Sequence, residues 1–141
     1  MYHSIISINF SINTITQTDY KGRKINKEDE LINVNLKIKV VQPLFIINDR
    51  KLEVDELSSA LSLNDERIDY CGGRGFSDDC KSNPEGIYRR EIKVILKEAT
   101  IDELVSLFDN LKIKLSWNKL FKGREERTYY LKDYLVKVNK E

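Results

Sequence analysis

Two segments in which apolar and polar residues alternate strictly constrain the fold of this sequence more than any other feature. The first runs from Ile6 to Ile12 and the second from Ile32 to Val40. Side chains of a β-strand point alternately to its two faces, so period two predicts a strand with one buried face. The polar stretch from Asp19 to Glu30 lies between them and predicts the tip of a long antiparallel hairpin.

Three later segments also predict strands. Apolar residues alternate with charged ones from Tyr88 to Lys97, except that Arg90 and Ile95 break the pattern, and a shorter alternation covers Ile113 to Trp117. The last strand is predicted from Thr128 to Val138, after a charged loop that begins at Lys119. The pattern stops between Asn64 and Gly86, which predicts the longest irregular region of the chain, and long loops often carry function.

Helical spacing occurs in two places. Val54 to Ser62 predicts a short helix, and Thr100 to Glu103 forms a capping box at the start of a second helix that ends near Lys112. We therefore predict one α+β domain over residues 1–141, with a mainly antiparallel sheet of about five to six strands and two helices packed on one face. The residues predicted to form the core are Ile8, Phe10, Leu36, Val94, Leu104 and Phe108.

Charge and hydropathy limit the partners. The 24 basic and 23 acidic residues give a net charge of +1, so no overall positive field attracts nucleic acid. No segment approaches the roughly 20 apolar residues that cross a bilayer, and the N-terminal residues lack the features of a signal peptide. We predict a cytoplasmic protein with no membrane partner.

Few residues are suited to catalysis or to metal binding. The single histidine is His3, near the N-terminus, and the two cysteines are Cys71 and Cys80. A nucleophilic mechanism needs a base held beside its nucleophile, and structural zinc needs four ligands. We therefore predict free thiols, no metal, no cofactor and no enzymatic activity. The segment Gly72 to Gly75 lacks the GK[ST] ending of a phosphate-binding loop, and its simplest interpretation is a glycine-rich turn.

Basic and aromatic residues late in the chain leave a nucleic-acid-binding function open. Such a mixture suits single-stranded nucleic acid, and it equally suits a solvated strand face. The residues concerned are Arg89, Arg90, Lys119, Lys122, Arg124, Tyr129 and Tyr130.

The chain resembles the immunity proteins of bacterial toxin–immunity systems, including those of contact-dependent inhibition. The resemblance lies in its small size, its single domain, its lack of catalytic residues and the segment from Leu52 to Gly75. It implies that the protein neutralises a toxin by forming a stoichiometric complex. An inhibitor of a host defence protein, of the kind that phages encode, would share these traits. The segment with interface-type side chains would then bind the partner, through Tyr70, Arg74, Phe76, Asp78 and Asp79.

Overall fold

The computed structural model describes residues 5–15, 19–20, 23–26, 28–42, 47–61, 65–78, 84–119 and 122–138, and most of them lie in strands. One α-helix, α1 (Ile101–Leu107), and two 3₁₀ turns, Leu57–Ala60 and Leu131–Tyr134, accompany the strands in these ranges. The strands are β1 (Ile5–Ile15), β2 (Asp19–Tyr20), β3 (Arg23–Lys24), β4 (Glu30–Val41), β5 (Ile47–Val54), β6 (Ile68–Asp78), β7 (Glu85–Leu96), β8 (Lys112–Lys119), β9 (Gly123–Tyr130) and β10 (Leu135–Val138).

The predicted α+β class with two packed helices is wrong, because the described chain is mostly β-structure in two main sheets. The helical spacing from Val54 to Ser62 is too short to sustain a helix. Val54 instead ends β5, paired with Ile113 of β8, and only Leu57–Ala60 turns, as a 3₁₀ segment capped by Glu56. Across the described ranges, no helix has the length and apolar character needed to cross a membrane.

The helix predicted from the capping box is present but shorter than expected. The Thr100 hydroxyl accepts from the Glu103 amide, and the Glu103 carboxylate accepts from the Thr100 amide, as predicted. The helix ends at Leu107, and Phe108 is its C-terminal cap, with its amide donating to the Val105 carbonyl. β8 then begins at Lys112.

A five-stranded sheet with the order β10-β1-β4-β7-β6 forms the larger layer. All its pairings are antiparallel except that of β1 with β10, which confirms the mainly antiparallel prediction. The predicted hairpin is confirmed by the long β1–β4 pairing, in which Ile8 lies opposite Ile38. The short β2–β3 pair lies in the segment that joins these two strands.

The region from Asn64 to Gly86, predicted to be irregular, contains β6 at one edge of this sheet. A β-bulge at Cys71 shifts the register between Tyr70 and Gly72, and Gly72 has a φ of 115°, a conformation that glycine adopts without strain. A Cβ atom at Gly73 would lie 2.1 Å from a carbonyl oxygen of β7. The glycines therefore allow a bulged strand to approach β7 closely, and the predicted turn is absent.

The strand predicted from Thr128 to Val138 is divided in two. Tyr130 ends β9, the 3₁₀ turn Leu131–Tyr134 follows, and β10 then pairs in parallel with β1. The charged loop predicted before it is shorter than expected, because β9 already begins at Gly123.

A smaller sheet with the order β5-β8-β9 packs its apolar side chains into the same core as the larger sheet. Trp117 of β8 is buried, and Phe10 of β1 meets Phe108 edge to face with ring centroids 5.6 Å apart.

Of the six residues predicted to be core, Ile8 is only half-buried. The other five are buried, which confirms the prediction for Phe10, Leu36, Val94, Leu104 and Phe108.

Candidate binding face of the five-stranded sheet

The five-stranded sheet has one face in the core and one face, here called the outer face, directed away from it. In β4 the residues from Ile32 to Val40 at even positions are buried in the core. Successive side chains of a strand alternate between faces, and directly paired residues share a face. The strand register therefore places Lys37 and Arg89, which pair across β4 and β7, on the outer face.

Two neighbouring rows of side chains cross the middle of the outer face. The first consists of Asn9, Lys37, Arg89 and Phe76, on β1, β4, β7 and β6 in that order. The second consists of Ser11, Asn35, Glu91 and Arg74 on the same strands. All eight residues line a depression of about 550 Å³.

The centre of the outer face is basic although the whole chain is nearly neutral. The two rows hold three cations, Lys37, Arg74 and Arg89, against one carboxylate, that of Glu91. The Glu91 carboxylate forms ion pairs with Arg74 at 3.4 Å and with Lys93 at 3.1 Å. Among the described residues, no carboxylate lies within ion-pair distance of Lys37 or Arg89.

Phe76 adds an apolar element to this basic surface. Its side chain is 56% exposed, and it lies directly across from Arg89 in the first row. Aromatic and arginine side chains are enriched at protein interfaces and among the residues that contribute most of the binding energy. The outer face thus carries the combination of residue types that favours recognition of another molecule.

Arg90, the neighbour of Arg89 in sequence, points to the other side of the sheet and has a structural role. Its Nε donates to the Glu56 carboxylate at 2.8 Å, and its Nη2 donates to the Tyr70 hydroxyl at 3.2 Å. Its Nη1 donates to the backbone oxygens of Arg74 and Glu91. The Arg90 side chain therefore ties the edge strand β6 to β7 and to the first 3₁₀ turn.

The Glu56–Arg90 pair perturbs the ionisation of both groups. The hydrogen bond from Arg90 lowers the pKa of Glu56 from 4.5 to about 2, against a smaller opposing effect of burial, and bonds from the Ser58 amide and hydroxyl lower it further. The same pair raises the pKa of Arg90. Burial, followed by the charge of Glu56, raises the pKa of Tyr88. The shifts of Glu56 and Arg90 show that their contact at the sheet edge favours the charged form of both groups.

Arg124 is likewise engaged within the fold, on the outer surface of the smaller sheet. Its Nη1 donates to the Asn118 side chain at 3.0 Å and to the Asp49 carboxylate at 3.2 Å, and its Nη2 donates to the Ser116 hydroxyl at 2.8 Å. Lys119 forms an ion pair of 3.0 Å with Glu125. These contacts hold the β5-β8-β9 sheet together.

The other residues of the predicted nucleic-acid set lie apart from the outer face. Lys122 is exposed just before β9. Tyr129 packs edge to face on Tyr134, and Tyr130 is exposed with the Lys132 ammonium 6.0 Å from its ring centroid. The structure therefore distributes that set over two sheets and both faces of the larger one, and of its members only Arg89 lies on the outer face.

The structure divides the predicted partner-binding set in a similar way. Arg74, Phe76 and Asp78 lie together on the outer face of β6, whereas half-buried Tyr70 bonds to Arg90 on the inner side. Asp79 lies outside the described residues. Sequence reasoning missed the four contributors from β1 and β4, namely Asn9, Ser11, Asn35 and Lys37, although their polar positions in alternating strands carried the signal.

A second depression, of about 560 Å³, lies at the end of β6 near α1. Both of its cations are already paired: Arg67 bonds to Asp65 at 3.3 Å and to Glu103 at 3.5 Å, and Lys97 lies 3.8 Å from Asp69. Since both cations are engaged within the fold, this depression offers less to an acidic partner than the outer face does.

The described residues contain no group of three or more metal-ligand side chains of the His, Cys, Asp or Glu type. The Sγ of Cys71 donates to the Asp69 carbonyl oxygen at 3.4 Å. Cys80 and His3 lie outside the described residues.

Comparisons with known proteins place the chain in no family. No protein-family model matches the sequence, and no solved structure matches it. Actin-related protein 4 of Candida glabrata is similar to the chain, with 29% identity over 122 residues, which make up 86% of this chain and 23% of that protein. The chain spans less than a quarter of that relative, at an identity too low to show common membership of a family.

Proposed function

We propose that this protein acts by stoichiometric binding of another protein through the outer face of its five-stranded sheet, and not by catalysis. The partner we propose is a toxin that the complex neutralises in the cytoplasm, in keeping with the resemblance to immunity proteins. An inhibitor of a host defence protein would use the same face in the same way. The identity of the bound protein distinguishes these two cases.

The observation that carries the proposal is the position of exposed Phe76 beside two cations without carboxylate partners in the described structure, at the edge of a depression. Phe76 lies across from Arg89, which in turn lies across from Lys37. A hot spot typically consists of an aromatic or arginine anchor surrounded by polar groups that exclude water. Most of the other charged residues considered as binding candidates already bond within the fold.

Binding of single-stranded nucleic acid is the second candidate, because cations beside an exposed aromatic side chain on a sheet form a stacking platform. Two features favour a protein instead. Phe76 is the one aromatic side chain in the two central rows, so successive bases have no second ring on which to stack. The carboxylate of Glu91 also lies in the middle of the surface, where a phosphate backbone would pass.

Affinity capture from the native cell tests the proposal. The wild-type protein and two matched variants, Phe76→Ala and Tyr130→Ala, are immobilised, and the bound proteins are identified and titrated. Both changes remove an exposed aromatic side chain, 56% exposed at Phe76 and 44% at Tyr130. We expect Phe76→Ala to weaken the complex roughly 30-fold, which corresponds to a hot spot of about 2 kcal/mol, and Tyr130→Ala to leave it unchanged.

The activity of the captured protein completes the test. A toxin partner should lose its activity at a molar ratio of one to one and regain it with Phe76→Ala. Salt-sensitive binding of single-stranded DNA or RNA, with no captured protein, would favour the second candidate. A complex that survives Phe76→Ala but not Tyr130→Ala would place the binding surface on the other sheet.

A further inference from the structure

Lys37 and Arg89 form a like-charged pair directly across from each other on adjacent strands. Opposed side chains in an antiparallel sheet lie about 5 Å apart at their Cβ atoms, and like charges in these positions destabilise the sheet. Neither side chain has a carboxylate within ion-pair distance among the described residues. The nearest acidic position in the rows, Glu91, already forms ion pairs with Arg74 and Lys93.

The surroundings of this pair are suited to an anionic group. Asn9 continues the row beyond Lys37, and Ser11 and Asn35 lie in the neighbouring row. Their amide and hydroxyl groups donate hydrogen bonds, and all three residues line the same depression. A carboxylate placed here would meet two cations and several neutral donors, and would offset the repulsion between the cations.

We propose that the depression over Lys37 and Arg89 binds a carboxylate of the protein partner, presented by an acidic segment with an apolar side chain that packs on Phe76. This inference rests on the proposed function and adds the chemistry of the partner. Charge complementarity selects the acidic occupant, since the rows hold three cations and one carboxylate. The bordering carboxylates of Glu91 and Asp78 disfavour a continuous phosphate backbone, whereas a single side-chain carboxylate fits between them.

An NMR titration with acetyl-hexaglutamate amide at physiological ionic strength tests the inference without the partner. We expect shifts in the backbone amides of the two central rows, and at least a tenfold weaker affinity in Lys37→Gln and in Arg89→Gln. Both side chains are exposed, so these variants should keep the dispersed spectrum of the folded protein. The matched control is Lys51→Gln on the smaller sheet, whose ammonium pairs with Glu53 at 3.0 Å, and it should bind as the wild type does.

Several results would overturn the inference. They are the absence of shifts in the central rows at millimolar peptide, equal weakening in Lys51→Gln, or tighter binding of octathymidylate than of the peptide at the same salt.

Binding of the captured partner to the same variants distinguishes a failure of this inference from a failure of the proposed function. A complex lost in Phe76→Ala but kept in Lys37→Gln and Arg89→Gln would refute the carboxylate site and leave the binding face intact. Peptide binding at the rows with no protein partner would support the site and refute the proposed function.

Discussion

Replacing Glu56 with glutamine should reveal how much the Arg90 anchor stabilises the edge of the larger sheet. The Glu56 carboxylate accepts from Arg90 through one oxygen at 2.8 Å and from the Ser58 amide and hydroxyl through the other, at 2.9 and 2.7 Å. A glutamine side chain keeps the shape but has a single acceptor oxygen. It therefore removes the charge from the pair and loses one of the two sets of bonds.

The magnitude follows from the lowered pKa of Glu56. A tenfold change in proton affinity corresponds to about 1.4 kcal/mol, so a decrease from 4.5 to about 2 sets an upper limit of roughly 3 kcal/mol. Because 44% of the Glu56 side chain is exposed, solvent screens the interaction, and we expect a loss of about 1–2 kcal/mol at neutral pH.

Urea unfolding at several pH values measures this effect. A carboxylate with a lowered folded-state pKa contributes its full stability above the unfolded-state value of 4.5, and that contribution is lost as the pH falls toward 2. The free energy of unfolding of Glu56→Gln should therefore lie below that of the wild type at pH 7 and approach it near pH 2. Glu66→Gln, at an exposed position, is the matched control and should follow the wild type. A deficit of Glu56→Gln that stays constant from pH 7 to pH 2 would refute the ion pair as its cause.

Three further predictions concern the strand edge, the helix and the outer face. Gly73→Ala places a Cβ atom 2.1 Å from a backbone oxygen of the neighbouring strand, so it should lower the free energy of unfolding in urea by about 1–3 kcal/mol. Gly75→Ala, whose Cβ atom would lie 3.3 Å from its nearest neighbour, should lower it less. Equal losses in the two variants would contradict the close approach of β6 to β7. Thr100→Ala should cost about 1 kcal/mol, and Thr100→Ser, which keeps the hydroxyl, should restore most of it. Lys37→Glu creates an opposite-charged pair with Arg89, so it should raise the free energy of unfolding of the unbound protein by about 0.2–1 kcal/mol. The same variant should no longer bind the hexaglutamate peptide. A lower free energy of unfolding would show that the two side chains do not face each other.

Alternation along the sequence predicted the strands that have one face in the core and one in solvent. β1, β4 and β7 satisfy that condition over most of their length. β6 does not, because the bulge at Cys71 interrupts the alternation and the residues from Gly73 onward are exposed on both faces of an edge strand. The glycines of β6 allow it to approach β7 closely. No local sequence pattern reveals that these two strands pair.

The helices were overestimated for a related reason. The residues from Val54 to Ala60 repeat at a spacing that fits a helical face, but pairing with β8 extends β5 through Val54 and leaves a single 3₁₀ turn. A short helix has few internal hydrogen bonds, so a competing strand pairing determines its conformation. The capping box was a more reliable signal, because it satisfies the first backbone amides of a helix wherever it lies.

The binding face was predictable only in part. Arg74, Phe76 and Asp78 were recognised by the composition of their segment, and the register then placed them on one face. Lys37 was not recognised, because it lies in a strand whose polar positions look like an ordinary solvated face. Its position opposite Arg89, 52 residues later in the sequence, depends on the pairing of β4 with β7.

Site-specific photocrosslinking in the native cell tests the binding face most directly. A benzoylphenylalanine residue replaces Phe76 in one variant and Tyr130 in another, since both positions are aromatic and exposed. We predict that the photoprobe at position 76 forms a covalent adduct with one protein, in an amount that Lys37→Glu decreases, and that the probe at position 130 forms none. An adduct from position 130 with none from position 76 would contradict a binding surface on the five-stranded sheet.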